Sequence, residues 1–264
     1  MDKVYTIDTG DVIVNYFCNN VNSHSDSCND GYEIIFALSS LGTCTVEGDE
    51  HILTAKSLLI IPPLSFHIQS YNPDQNIQGY SVKFVKSIID ESVIPMLDKI
   101  FSGANGKGRF YSSGCITDAV SDIFRRFDDA LLLPEEEKRA FLKMLVNEAV
   151  ILLSAVEGII ISRTDNELGA RVAKFLNANI EKNISLDRLA TRFFVSKYHL
   201  CRAFKKYSGT SVHSYINHKR IMYAKQLIES GENASAVAER VGFGDYSSFY
   251  RAYVKLVGKA PTKE

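Results

Sequence analysis

The sequence predicts an α+β protein: an antiparallel β-sandwich or barrel with flanking helices, followed by an all-α unit built from two helix-turn-helix motifs. Three observations carry this reading. Between Val12 and Phe84, short apolar runs of strand length alternate with turn residues, whereas from Ile116 onward apolar residues recur at intervals of three and four. The stretch from Ser185 to Pro261 contains a weak repeat of itself. Leu200, Arg202, Phe204 and Lys206 are answered after a shift of 49 by Phe249, Arg251, Tyr253 and Lys255, while Ala190 recurs as Ala238 after a shift of 48. The turn of the second copy is therefore one residue longer.

Charge separates the two parts of the chain. The 264 residues carry a net charge of -1, but from Thr164 onward 17 Lys and Arg stand against 9 Asp and Glu, a balance of +8. The preceding residues hold 13 against 22, a balance of -9. Such an asymmetry points to a polyanionic partner for the C-terminal part. Five cysteines, an odd number without a C-x-x-C pair, suit free thiols in a reducing cytosol better than a disulfide framework or a zinc site. No charged and then apolar leader opens the chain, and no apolar run approaches the ~18 residues of a membrane span, so a cytoplasmic protein without membrane partners is expected.

In chain order, the expected strands run from Val12 to Phe17, Tyr32 to Leu38, Cys44 to Glu47, His51 to Leu53, Leu58 to Ile61, Phe66 to Ser70 and Tyr80 to Phe84. Glu47-Gly48-Asp49-Glu50 reads as a hairpin turn, Pro62-Pro63 as a strand stop, and Gly79 as the turn before the last strand. Ser87 to Phe101 has a helical stripe interrupted by Pro95 and receives no assignment. Ile116, Val120, Ile123, Phe124, Phe127 and Leu131 then mark one helix. Phe141, Leu142, Leu145, Val146, Ala149, Leu152, Leu153 and Val156 mark a second, starting at Pro134 with three glutamates in its first turn. Their apolar stripes either cover a sheet face or pair with their copies in a homodimer. Gly158 to Gly169 is the expected hinge, which divides the chain into domains at 1–160 and 165–264.

The C-terminal part carries the chemistry. Ser185 and Ser196 are placed as N-caps of two successive helices, with Leu186, Leu189 and Ala190 inward on the first and Leu200, Ala203 and Phe204 inward on the second. The remaining face of the second helix shows Lys197, Tyr198, Cys201, Arg202, Lys205 and Lys206. Arginine reaches two acceptors of guanine in the major groove, and flanking lysines meet phosphate; a merely solvated basic face is the plainer alternative. A connector from Ser211 to about Ser230 would span ~30 Å at ~1.5 Å per residue, close to the ~34 Å of one DNA turn. Beyond it, Ala234 to Arg240 and a Gly242-Phe243-Gly244 turn lead into a helix exposing Tyr246, Ser247, Tyr250, Arg251 and Lys255 and burying Phe249 and Tyr253.

The pattern A-x5-S-x3-L-x-R-x-F-K from Ala190, then A-E-R-V-G-F-x2-Y-S-x-F-x-R from Ala238 and K-x2-G-x2-P from Lys255, resembles the AraC/XylS family of bacterial transcription regulators from about Arg171 to Pro261. The resemblance implies DNA-reading positions at Tyr198, Cys201 and Arg202 in the first motif and at Tyr246, Ser247, Tyr250 and Arg251 in the second. It also implies a cupin-like β-barrel as sensor at 1–160, in which Tyr32, Phe36, Phe66, His67 and Tyr80 are candidate ligand-binding residues. An ordinary packed core explains those five equally well. His24, His51 and His67 do not form the clustered pair with a carboxylate that metal-binding cupins present, so neither a metal nor another cofactor is expected, and no catalytic constellation is found. The expected partners are double-stranded promoter DNA, a small-molecule effector, a second copy of the chain and RNA polymerase. The alternative is a cupin-type metal-dependent enzyme fused to a DNA-binding module.

Overall fold

The strand-length runs become two antiparallel sheets in a computed structural model that describes residues 4–18, 24–71, 76–102, 107–156, 158, 167–182 and 184–262, without the side chains of 24–26. The chain divides into two units: Met1–Asp26, Gly31–Val46 and Glu50–Ile161 form the first, and Ser27–Asp30, Glu47–Asp49 and Ser162–Glu264 the second. Most of the expected hinge between Gly158 and Gly169, the residues around Thr164 and the side chain of His24 lie outside the described residues.

The strands are β1 (Tyr5–Asp8), β2 (Val12–Cys18), β3 (His24–Cys28), β4 (Tyr32–Ala37), β5 (Gly42–Val46), β6 (Asp49–Leu53), β7 (Leu58–Ile61), β8 (Phe66–Tyr71), β9 (Gln78–Phe84) and β10 (Arg109–Tyr111). One sheet has the order β1-β2-β9-β4-β7-β10 and the other β3-β8-β5-β6. Sandwich and barrel were both open from the sequence; the hydrogen-bonded order is that of two separate open sheets. Glu47 and Gly48 turn β5 into β6 with φ of 46° and 87°, the two positive values that a tight primed turn requires. Gly79, expected in a turn, lies inside β9, where its lack of a side chain matters: a Cβ would stand 2.7 Å from the Phe36 carbonyl.

All six residues of β4 are buried, because both faces of its sheet are covered. Tyr32, Ile34 and Phe36 pack in one core with Leu58, Ile60, Val82 and the helices, while Ile35 and Ala37 pack in another with Leu59 and Ile61 of their own sheet and Cys44, Val46 and Leu53 of the facing one. The helices of the first unit are α1 (Ile94–Ile100), α2 (Asp118–Arg126) and α3 (Glu135–Ala155). Pro95 sits in the first turn of α1, where its missing N–H costs nothing. Pro134 is the residue before α3 rather than its first residue, and Glu135, Glu136 and Glu137 occupy the first turn. Val120, Ile123 and Phe124 of α2 join Leu142, Leu145, Val146, Ala149 and Leu153 of α3 in the core, so these stripes cover the sheet. Leu131 departs from the expectation: it lies in a 3₁₀ segment after α2 and is 41% exposed. Asn147 fastens α3 by donating to the carbonyls of Ile88 at 3.0 Å and Lys143 at 2.8 Å and accepting from the Asp90 amide at 2.9 Å.

The second unit is helical: α4 (Leu168–Asn177), α5 (Leu186–Phe193), α6 (Lys197–Ser208), α7 (Val212–Glu229), α8 (Ala234–Arg240) and α9 (Tyr246–Val257). The sequence reading missed α4, whose Val172, Ala173 and Leu176 are buried. At 18 residues, α7 is ~27 Å long.

Candidate nucleic-acid interface

Each of the four helices of the two motifs begins where a side chain satisfies an orphan amide. Ser185 accepts from the Arg188 amide, Ser196 from His199, Asn233 from Ser235 and Ala236, and Asp245 from Ser248. The Asp245 bond, at 2.8 Å, holds that carboxyl below its ordinary value. A glycine at positive φ ends the second helix of each motif, Gly209 after α6 and Gly258 after α9.

The inward faces are apolar and closely packed. Leu189, Ala190, Leu200 and Phe204 are buried in the first motif, and Val237, Ala238, Val241, Phe249 and Tyr253 in the second. Phe204 meets Tyr215 of α7 edge-on at 5.3 Å between centroids, and Phe249 meets Phe243 in the same manner at 5.4 Å. Two inward expectations fail: Leu186 is 38% exposed, because it sits in the first turn of α5 beyond the packed stripe, and Ala203 is only half-buried.

The outward faces gather the candidate residues. On α6, Lys197, Tyr198, Arg202, Lys205 and Lys206 are exposed and Cys201 is half-buried; Tyr198, at 76% exposure, projects with its ring in solvent. On α9, Tyr246, Ser247, Tyr250, Arg251 and Lys255 are all exposed. Lys197 pairs with Asp187 of α5 at 2.6 Å, so part of its charge is already answered. The Tyr246 and Tyr250 rings lie 6.3 Å apart along one face of α9.

The turns explain the change of shift from 48 to 49. Phe194 and Gly242 occupy equivalent places with φ of 55° and 84°, each between the two helices of its motif. Val195 and Ser196 follow Phe194 before α6, whereas Phe243, Gly244 and Asp245 follow Gly242 before α9. The additional residue therefore lies between the left-handed position and the cap.

The connector α7 bears two buried cations that the sequence did not single out. Arg220 donates to the carbonyls of Ile180 at 2.9 Å, Lys182 at 2.6 Å and Gly242 at 3.0 Å, tying the segment before α5 to the turn before α9. Lys219 lies 2.6 Å from the Glu47 carboxylate, which also accepts from the Tyr215 hydroxyl; residues 47–49 belong to this unit. Both cations interrupt an otherwise apolar face of the connector, which is the signal that would have found them.

In the first unit the five candidate ligand residues do not share a face. Tyr32, Phe36 and Tyr80 lie in the helix-covered core, and the Tyr80 hydroxyl donates to Asp128 at 2.9 Å. His67 faces the other way, with Nε2 3.2 Å from Glu33 and Nδ1 3.2 Å from the Ser65 carbonyl. Phe66, its neighbour on β8, is buried, and strand alternation sends it to the opposite face. Burial pushes the Glu33 carboxyl up, but Lys83 at 4.0 Å, the His67 ring and the Ser81 hydroxyl at 2.6 Å outweigh it and hold the group below the usual carboxylate range. Gln69, two residues along β8 and 4% exposed, has no hydrogen-bond partner for either amide atom among the described residues. Polar residues on an inner sheet face would have revealed this cluster, had strand parity been known. Among the described residues no group of three or more His, Cys, Asp or Glu stands close enough to hold a metal, and no helix is long and apolar enough to cross a membrane.

Comparison with known proteins agrees with this geometry. A family described as "Helix-turn-helix domain" matches residues 189–263. The probable transcriptional regulator LumQ of Photobacterium leiognathi is 33% identical over 93 residues, 35% of this chain and 38% of LumQ, so the chain matches well under half of that relative. The uncharacterized HTH-type transcriptional regulator YbfI of Bacillus subtilis is 25% identical over 223 residues, covering 83% of this chain and 78% of YbfI. The multiple antibiotic resistance protein MarA of Escherichia coli is 32% identical over 93 residues, 35% of this chain and 73% of MarA. Among solved structures, ToxT from Vibrio cholerae aligns over 96% of both chains at 13% identity with a TM-score of 0.41. With two capped helix-turn-helix motifs on one connector and a match that takes in most of MarA, this chain belongs to the AraC/XylS family and is a transcription regulator with a helix-turn-helix DNA-binding domain.

Proposed function

We propose that the chain is a sequence-specific regulator that reads promoter DNA with α6 and α9 and adjusts that reading to a signal sensed by a cupin-like domain at 1–160, with 165–264 as the DNA-binding domain. The observation that carries this reading is the pair of outward faces, each set on a buried aromatic anchor, Phe204 or Phe249, and each presenting an exposed arginine, Arg202 or Arg251. Arg202 and Arg251 supply bidentate base contacts, with Tyr198, Cys201, Tyr246, Ser247 and Tyr250 beside them, and Lys197, Lys205, Lys206 and Lys255 meet phosphate. For the effector, the reading centres on His67, whose inner face is shared with Glu33, Ser81 and the unsatisfied amide of Gln69; a buried amide without partners favours a polar ligand there. Tyr32, Phe36, Phe66 and Tyr80 then shape the fold around the site rather than touch the ligand. The protein works in the cytoplasm by binding rather than catalysis, with a second copy and RNA polymerase as its protein partners.

Selection of random duplexes by the purified chain tests the reading. A recurring sequence motif is expected, and Arg202→Ala should lower affinity for it by ~1–3 kcal/mol while binding to unrelated DNA changes little. Retention of no preferred sequence would sink it. Metal analysis of the same preparation addresses the enzyme alternative, which stoichiometric zinc, iron or manganese would favour.

A further inference from the structure

The helical unit contains a cavity of about 530 Å³ bounded by the end of α4, the start of α5, α7, and the turn and first part of α9. Its lining is apolar along Leu176, Ile184, Val212, Ile216 and Phe243, and polar at Ser185, His213, Asn217 and Ser248. Two cations complete it, Arg220 and Arg251. This is the composition of a small-ligand site: an apolar body with a few convergent polar groups, in the size range of ~300–1,000 Å³ typical of such sites.

The charge of Arg220 has no carboxylate opposite it among the described residues. Arg220 is 7% exposed and donates to the three backbone carbonyls of Ile180, Lys182 and Gly242. Carbonyl dipoles satisfy three of the five guanidinium N–H groups but bring no negative charge. Arg251 adds a second cation, which approaches Ser248 Oγ at 3.5 Å and is partly answered by the Asp245 carboxylate at the start of α9. An apolar chamber holding an unneutralised cation favours an anion with an apolar body over a neutral molecule, and over a DNA phosphate, which has no apolar body to fill the chamber.

We propose that this cavity is a binding site for a small amphipathic organic anion, a monocarboxylate whose apolar part lies against Ile216 and Phe243 and whose carboxylate meets Arg220 and Arg251. Because Arg251 also stands on the outward face of α9, a bound anion and DNA draw on the same guanidinium, and each weakens the other. The site is separate from the inner-sheet cluster around His67, and the competition, unlike the site itself, rests on α9 reading DNA.

Calorimetric titration of the full chain with 1-naphthoate and with its neutral counterpart 1-naphthamide tests the proposal. Saturable binding of the acid, about tenfold or more tighter than the amide, is expected. Arg251→Gln removes the exposed cation, and Asn217→Trp fills part of the cavity; each should weaken naphthoate by about tenfold or more. Equal binding of acid and amide, no saturable binding of the acid, or full binding in both variants would overturn the site. If Asn217→Trp does not fold, Arg251→Gln, at an exposed position, still decides. Repeating the titration with a saturating duplex should weaken naphthoate binding. Unchanged affinity there would overturn the competition while leaving the site standing, which separates failure of this inference from failure of α9 as a reader.

Discussion

The two helix-turn-helix motifs share a skeleton, an outward arginine and an outward lysine, and differ in most of what else they show to solvent. Both bury one aromatic at the same place in the second helix, Phe204 or Tyr253, and both turn on a left-handed residue. The first presents Lys197, Arg202, Lys205 and Lys206; the second presents Arg251 and Lys255 with two tyrosines. The first turn places a phenylalanine, 93% exposed, in a conformation that disfavours side chains, while the second uses glycine. A duplicated body thus keeps its core and diverges at its surface, since core volume is constrained by close packing and an outward face by its partner alone.

The largest expected effects test the shared core. Phe204→Ala and Phe249→Ala should each cost ~3–5 kcal/mol in urea unfolding of the full chain, since both rings are wholly buried. A cost below ~1.5 kcal/mol for one of them would show that the two cores are not equivalent. Next in size is the division of labour at the surface. Arg202→Ala should lower specific affinity by ~1–3 kcal/mol, and Arg251→Ala should affect specificity less. The reverse order in duplex titrations would break the asymmetry.

The turns should respond in opposite directions. Gly242→Ala meets both a positive φ and a Cβ placed 2.8 Å from Arg220 Nη2 and from the Glu181 carbonyl, so a loss of ~1–2 kcal/mol is expected. Phe194→Gly relieves strain at an exposed position and should raise the midpoint of thermal unfolding, by an amount corresponding to ~1 kcal/mol at most. Smallest is the effect of acid on the caps. The Asp245 carboxyl is depressed in the folded state, so its contribution is present above the ordinary value of 3.8 and is lost as pH falls through the folded value. Ser196 does not titrate. Hydrogen exchange at the Ser248 amide should therefore lose protection in acid relative to the His199 amide; equal loss at both would remove this difference between the motifs.

Legibility followed the range of the interactions. The caps at Ser185 and Ser196, the turn glycine at 242 and the exposed faces of α6 and α9 are local chemistry, readable from a few residues. β10 was not legible: three residues become a strand because Arg109, Phe110 and Tyr111 find Ile60, Leu59 and Leu58 of β7. Nor was the face of each residue on β4, since burial on both sides erases the alternation that would reveal parity.

The sequence by itself determined the order of classes along the chain, the duplicated motif with its shifted turn, and the two outward faces that carry positive charge, because periodicity, capping and charge are properties of neighbouring residues. Only the tertiary structure decided that His67 turns toward Glu33 while Tyr32, Phe36 and Tyr80 turn toward helices, and that Arg220 meets only backbone carbonyls among the described residues beside an apolar cavity. Those facts depend on which distant segments pack on each face, and burial by distant segments leaves no periodic trace in the sequence.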